Sequence, residues 1–371
     1  MIGIFATRIF DGLALRDGGT VLIDGATIRG IAADLAAATT RLPDDAILAP
    51  GFIDLQVNGG GGVMFNDATD RDTLVRMSSA HARAGTTSIF PTLISGSRSA
   101  IAAAILAVRK SADVSGVAGL HVEGPFIAPA RRGIHPERAI LALTPGDIEL
   151  LTQDIGGPLM VTLAPDVVTD SDIAALARRG VIAFAGHSDA SFERTRAALA
   201  AGVAGFTHLF NAMSPFAPRA PGVVGAALAD TSARAGIIVD LHHVHPAAIE
   251  IAYAALGPSR LFLVSDAMAT AGSDVDTFEL YGTPIRLVDG RLTDAAGTLA
   301  GAHLTMAAAV RNAVAAANIP LADALRMATA TPAAAAGLQD RGRIAPGLRA
   351  DLVALDGALD VISVWQSGVP I

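Results

Sequence analysis

Residues 50–62 read Pro50-Gly51-Phe52-Ile53-Asp54-Leu55-Gln56-Val57-Asn58-Gly59-Gly60-Gly61-Gly62, an apolar run of strand length that closes on a glycine loop. The same pattern recurs down the chain. Short runs rich in Val, Ile, Leu, Phe or Ala, flanked by Gly or Pro, predict strands at 47–57, 86–93, 117–123, 159–164, 181–186, 203–209, 236–241 and 260–265. Helical patterns at 70–83, 97–111, 144–154, 170–179, 191–201 and 246–256 fill most of the gaps. Several begin on Ser, Thr or Asp, which cap helix N-termini. Strand and helix alternating in this way predict an α/β chain folded as a (β/α)8 TIM-like barrel. A doubly wound sheet is disfavoured, because no G-x-G-x-x-G turn follows the first strand.

The ends read differently. Residues 1–48 alternate apolar and polar, with turns at Asp11-Gly12, Asp24-Gly25 and Arg29-Gly30, and residues 342–371 repeat that alternation. Neither end has core enough to fold alone. They are expected to pair into one small β-sandwich domain, leaving 49–341 as the barrel. A hairpin is expected at 278–293, turning at Asp289-Gly290, and residues 333–336 close an alanine-rich helix.

Composition bounds what the chain can do. Its 371 residues are 51% hydrophobic and 17% charged, enough apolar material for a large core and too much for disorder. No unbroken apolar run is long enough for a transmembrane helix, and the first ten residues lack the pattern of a signal peptide. With no cysteine there is neither a disulfide nor a thiolate metal site, which fits a cytoplasmic protein. The net charge is -8, and the pairs Arg131-Arg132 and Arg178-Arg179 do not make the basic face that nucleic acid requires. Lys110 is the single lysine and sits in a helical pattern, so no carbamylated lysine at a strand end can bridge two metals.

In such barrels the chemistry sits where strands end. The third strand ends in His121 and Glu123, the fifth in His187, the sixth in His208 and Asn211, the seventh in His242, His243 and His245, and the eighth in Asp266. A carboxylate after an apolar strand is costly to bury unless it is paired or bound to a cation. Glu123, His187 and His208 together make an oxygen and two nitrogens, a set that suits one divalent ion, zinc or a similar metal, with a position left for water. Iron, cobalt and manganese suit the same set. Asp266 is placed to take a proton from water and return it to a leaving amine. His121, two residues before Glu123, points the same way and is expected to pack beneath the site; His81 is expected to be structural. Two loops are candidates for reading a ligand: one carries Arg131, Arg132 and His135, the other Asn211, Ala212 and Arg219. Arginine there would suit a phosphate or carboxylate.

The segments PGFID (50–54), HVEGPF (121–126), RRGIH (131–135), AGHSDA (185–190), THLFNAM (207–213), RAPGVVG (219–225), LVSDAM (263–268) and the closing GRIAPGLRADLVAL (342–355) stand in a characteristic order and spacing. In these the chain resembles the N-acetylglucosamine-6-phosphate deacetylases of the amidohydrolase superfamily, over nearly its whole length. The resemblance implies a metal-dependent hydrolase that removes acetate from N-acetylglucosamine 6-phosphate and works as a homodimer. By the same resemblance Glu123, His187 and His208 are the metal ligands and Asp266 is the acid/base. His243 meets the sugar and acetyl region, Asn211 and Ala212 meet the phosphate end, and His135 lies near the substrate. Arg219 reaches the phosphate from the neighbouring subunit.

Some members of the superfamily carry His-x-His on the first strand and hold two metals. Others carry Gln-x-Asn, as Gln56 and Asn58 do here, and resemble single-metal enzymes. The stretch from Asp266 to Gly272 and the HHVHP segment (242–246) depart from the usual motifs, both on the substrate side. Two other readings compete. One is a deacetylase of a related sugar phosphate such as N-acetylgalactosamine 6-phosphate. The other is a non-catalytic scaffold on the same barrel, opposed by the presence of Glu123, His187, His208 and Asp266.

Overall fold

In the computed structural model, residues 1–33 and 37–371 are described; residues 34–36, inside the N-terminal segment assigned to the β domain, lie outside the described residues. Eight parallel strands form the barrel: β1 (Phe52–Val57), β2 (Thr86–Ile94), β3 (Leu120–Glu123), β4 (Leu159–Leu163), β5 (Ile182–Ala185), β6 (Gly205–Phe206), β7 (Arg234–Ile238) and β8 (Leu261–Val264). They pair in sequence order from β1 to β8. Each is buried over almost its whole length, as a parallel sheet covered by helices must be. Asp70, Ser97, Thr169 and Ser191 cap the helices Arg71–Arg83, Arg98–Lys110, Asp170–Arg178 and Phe192–Ala201, each accepting a backbone N–H. Each cap contributes about 1 kcal/mol.

Every predicted barrel strand is present, with one division. The run at 47–57 is two strands. Ile47–Pro50 belongs to the sheet of the chain ends, and β1 starts at Phe52. Gly51 is the joint, where a Cβ would stand 2.1 Å from Thr87 Oγ1, so no side chain fits. The seventh strand also ends earlier than predicted, at Ile238, because Asp240 turns the chain by accepting the N–H groups of His242 and His243.

Strands from both ends build a second sheet of eight strands, in which Ile47–Pro50 lies between Ile2–Phe10 and Leu352–Leu355. Its flanks meet where Ile28 N–H donates to Leu348 O at 2.8 Å and Ala350 N–H to Ala26 O at 2.8 Å. The sheet thus curls around its own core of Ile4, Val21, Ile28, Leu352 and Trp365. The expected hairpin is part of a four-stranded antiparallel sheet, Thr277–Leu280, Thr283–Val288, Arg291–Thr293 and Leu299–Ala302. It packs on Met64, Ile94 and Met268 at the mouth of the barrel. The helix Gly222–Ala229 has no amphipathic stripe and so gave no helical signal. No helix among the described residues is long and apolar enough to cross a membrane.

The ring closes between β1 and β8, where the sheet bonding is thin. Asp54 accepts the N–H of Ser265 at 3.2 Å and that of Gln56 at 3.2 Å, and Asp266 N–H donates to Gln56 O at 3.0 Å. Burial outweighs these bonds and pushes the Asp54 carboxyl up to about 7. A carboxyl raised in the fold contributes stability that is complete below its unfolded pKa near 3.8 and is lost as the pH rises through the folded value. Asp54→Asn cannot titrate. In denaturant unfolding its stability relative to wild type should therefore improve by on the order of 2–3 kcal/mol between pH 5 and pH 8. An unchanged difference across that range would mean that Asp54 is not a strained buried acid.

Candidate metal centre

Glu123 is the last residue of β3, whereas His187, His208 and Asp266 each stand two residues beyond the end of β5, β6 and β8. Those three share a left-handed backbone, with φ of 49°, 32° and 51°. Non-glycine residues adopt this conformation rarely, at a cost of about 1–3 kcal/mol each, and it gathers at functional sites. Here three of four mouth residues are turned this way.

The side chains converge. His187 Nε2 lies 3.2 Å from Glu123 Oε1, His208 Nε2 lies 3.0 Å from the same oxygen, and the two nitrogens are 3.0 Å apart. His187 Nδ1 donates to Arg131 O at 2.9 Å, so neutral His187 has only a lone pair at Nε2. No placement of protons satisfies all three edges of this triangle. If one nitrogen donates to the other, the second faces the carboxylate lone pair to lone pair. If both donate to Glu123, their N–H groups collide. A cation among them satisfies all three, and atoms so spaced match ligands held at bonds of about 2.0–2.2 Å. The donor set fits zinc or a similar divalent ion, and it is buried throughout. Burial works to raise the Glu123 carboxyl, but the neighbouring His187 and His208 imidazoles prevail and hold it well below its ordinary value. His135 also comes within reach of Glu123 and His187. Its Nδ1, however, is 2.7 Å from Ser95 Oγ, and its ring packs on His187 with centroids 4.4 Å apart. The tighter triangle with His208 is the better ligand set.

Gln56 and Asn58 are not ligands in this arrangement. Gln56 Nε2 donates to Glu123 Oε1 and to Asp266 Oδ1, both at 3.0 Å, and Asn58 Nδ2 donates to Asp266 Oδ1 at 2.7 Å. Two neutral amides thus hold two carboxylates. Burial and the Glu123 charge still push the Asp266 carboxyl up to about 6.

A cavity of about 380 Å³ opens from this cluster, and Glu123, His187, His208, Asp266, His135, Asn211, Ala212 and His243 all line it. Arg219 does not; it is exposed on the loop leading to the helix Gly222–Ala229. Arg131 pairs with Asp189 at 2.8 Å and Arg132 donates to His135 O at 3.0 Å, so both shape the loop. His121 lies beneath the site, 2.7 Å from Thr162 Oγ1, and burial takes its pKa down to about 4. His81 holds Gly59 O at 2.9 Å, His245 caps the helix Pro246–Leu256, and His303 meets Thr270 Oγ1 at 3.0 Å. The sequence reading missed Gly297, Thr298 and Leu299, which bring the four-stranded sheet to the cavity wall. It also missed Asp240 beneath His243. A short polar residue just past a strand end was the available signal for Asp240; the insert carried none.

The amidohydrolase family model matches residues 47–370. An N-acetylgalactosamine-6-phosphate deacetylase of Shewanella sp. (strain ANA-3) is 40% identical, covering 96% of each chain. An N-acetylglucosamine-6-phosphate deacetylase of Haemophilus influenzae is 37% identical over 86% of this chain and 85% of its own. The crystal structure of the N-acetylglucosamine-6-phosphate deacetylase from Pasteurella multocida superposes with a TM-score of 0.95 at 34% identity, covering 100% of this chain and 99% of that one.

One three-atom site and an amide pair in place of further ligands lead to a count. Metal analysis of extensively dialysed protein should give close to one divalent ion per chain. Glu123→Gln and His208→Ala should lose it, and with it the rise in melting temperature that Zn2+ gives the stripped wild type. Two tightly held ions per chain would make Gln56, Asn58 or His135 a ligand.

Proposed function

This chain belongs to the amidohydrolase family, and we propose that it hydrolyses the acetamide of N-acetylglucosamine 6-phosphate to glucosamine 6-phosphate and acetate. The observation that carries the reading is the single cavity in which the Glu123–His187–His208 cluster meets Asp266, in a chain whose relatives along most of its length are N-acetylhexosamine-6-phosphate deacetylases. Glu123, His187 and His208 hold one divalent ion, zinc first. Bound there, such an ion polarises the acetyl carbonyl and makes water acidic enough to attack near neutral pH.

Asp266 handles the proton. Its Oδ1 accepts from Gln56 and Asn58, which fixes the plane of the carboxylate and leaves Oδ2 for exchange. The carboxylate takes a proton from the attacking water as the water oxygen bonds to the acetyl carbon. It gives that proton to the amide nitrogen as the carbon–nitrogen bond breaks, releasing the amine and acetate. His243 meets the sugar and acetyl region, and His135 steadies the substrate side of the cluster. Asn211 and Ala212 receive the phosphate end. The exposed place of Arg219 supports a homodimer in which this residue closes the partner's phosphate site. The absence of cysteine supports a cytoplasmic location.

The Shewanella relative favours a second reading, N-acetylgalactosamine 6-phosphate as the preferred sugar. The two differ at one hydroxyl, and kcat/KM for both sugars separates them.

The test of the function is acetate release from N-acetylglucosamine 6-phosphate with and without chelator; no release by metal-replete protein on either sugar would end the proposal. Asp266→Asn should lower kcat by about 10²–10⁴-fold while the metal stays bound. A near-normal kcat would remove Asp266 from proton transfer. Arg219→Ala should weaken substrate binding by on the order of 2–5 kcal/mol, read as KM. Mixed dimers of Arg219→Ala and Asp266→Asn chains should regain some activity at substrate levels too low for the Arg219→Ala parent. An unchanged KM would release Arg219 from the phosphate.

A further inference from the structure

Beyond β7 the chain runs Asp240-Leu241-His242-His243, with Leu241 in the left-handed region at φ 67°. Asp240 uses both of its oxygens. Oδ1 accepts the N–H groups of His242 and His243, each at 2.9 Å, and Oδ2 lies 2.7 Å from His243 Nδ1. Both side chains are nearly enclosed, at 6% and 8% exposure. The bonds to Oδ1 hold the turn. The bond to Oδ2 is not needed for the turn, and it ends on a ring that lines the cavity.

A carboxylate only accepts, so Nδ1 must carry the proton and Nε2 is the atom left for the cavity. Burial works to raise the Asp240 carboxyl, but the bonds from His243 outweigh it and take it down to about 2, so it is an anion at working pH. The charged groups that face His243 are Asp240 on its own loop and Asp266 across the mouth. Arg291, from the four-stranded sheet, is engaged with the neighbouring His242 at 3.2 Å.

We propose that Asp240 is a positioning residue, which fixes His243 as the Nδ1–H tautomer and so presents Nε2 to the substrate as a hydrogen-bond acceptor. Only the identity of that substrate rests on the deacetylase reading. A buried carboxylate behind an imidazole sets which nitrogen faces the reactant, and replacing it with the amide reverses the choice. Asp240→Asn is the discriminating variant. Its Oδ1 keeps both backbone bonds, but its NH2 group replaces the acceptor at Oδ2. Nδ1 must then become an acceptor, and Nε2–H turns to the cavity.

The test uses 15N-labelled, metal-loaded protein. Two-bond 1H–15N correlation spectra above pH 8 should show His243 protonated on Nδ1 in wild type and on Nε2 in Asp240→Asn. With N-acetylglucosamine 6-phosphate, kcat/KM should fall by on the order of 10–100-fold, mostly through KM, with metal content and melting temperature kept. His243→Phe should raise KM as much, and adding Asp240→Asn to it should cost nothing further. A wild-type His243 protonated on Nε2 would overturn the proposal. So would an Asp240→Asn variant with unchanged tautomer and KM, which would leave Asp240 as a turn cap. Failure of wild type to cleave either sugar would count against the deacetylase reading, and the tautomer result would still decide the role of Asp240.

Discussion

Three atoms that carry lone pairs, Glu123 Oε1, His187 Nε2 and His208 Nε2, are held 3.0–3.2 Å from one another inside a buried mouth. Left to themselves they would separate, since no arrangement of protons satisfies all three contacts. The fold is what prevents this. Each atom hangs from a different strand of a barrel whose registers are fixed by backbone bonds, and the residues that turn inward do so through left-handed backbone at His187 and His208. That backbone is itself unfavourable. It persists because the strands before it and the helices after it are packed into one core.

The first strand shows how a neutral group replaces a charged one. Gln56 and Asn58 stand where the two-metal members of the superfamily carry histidines, and they direct amide hydrogens at Glu123 and Asp266. A second cation would hold these carboxylates by charge. The amides hold them by direction, with a weaker field, and burial and the Glu123 charge keep the Asp266 carboxyl raised in spite of them. The cost falls on Asn58 Oδ1, which is buried without a partner among the described residues.

What could be read beforehand followed from periodicity. Every barrel strand was visible because each is a short apolar run between helical patterns, and the mouth residues were visible because polar side chains end those runs. The division at Gly51 was not visible, because Ile47–Pro50 and β1 are both apolar and adjoin without a turn. The helix Gly222–Ala229 is small and apolar on all sides, so no stripe marks it. The left-handed turns at His187, His208 and Asp266 leave no mark in composition, since the residues that adopt them are chosen for chemistry and not for conformation. The exposed place of Arg219 on its own chain left no mark in periodicity or composition either; only the resemblance, which assigns this residue to the neighbouring subunit's site, implied it.

The cavity wall divides by origin in a way that bears on recognition. Glu123, His187, His208 and Asp266 come from strand ends, which the barrel holds rigidly. Gly297, Thr298 and Leu299 come from an inserted sheet that rests on the mouth through Met64, Ile94 and Met268. A polar cluster on the frame and a cavity wall on an insert can change separately. An exchange of residues in the insert would reshape the cavity wall without disturbing the triangle, whereas an exchange at the strand ends would break the triangle itself.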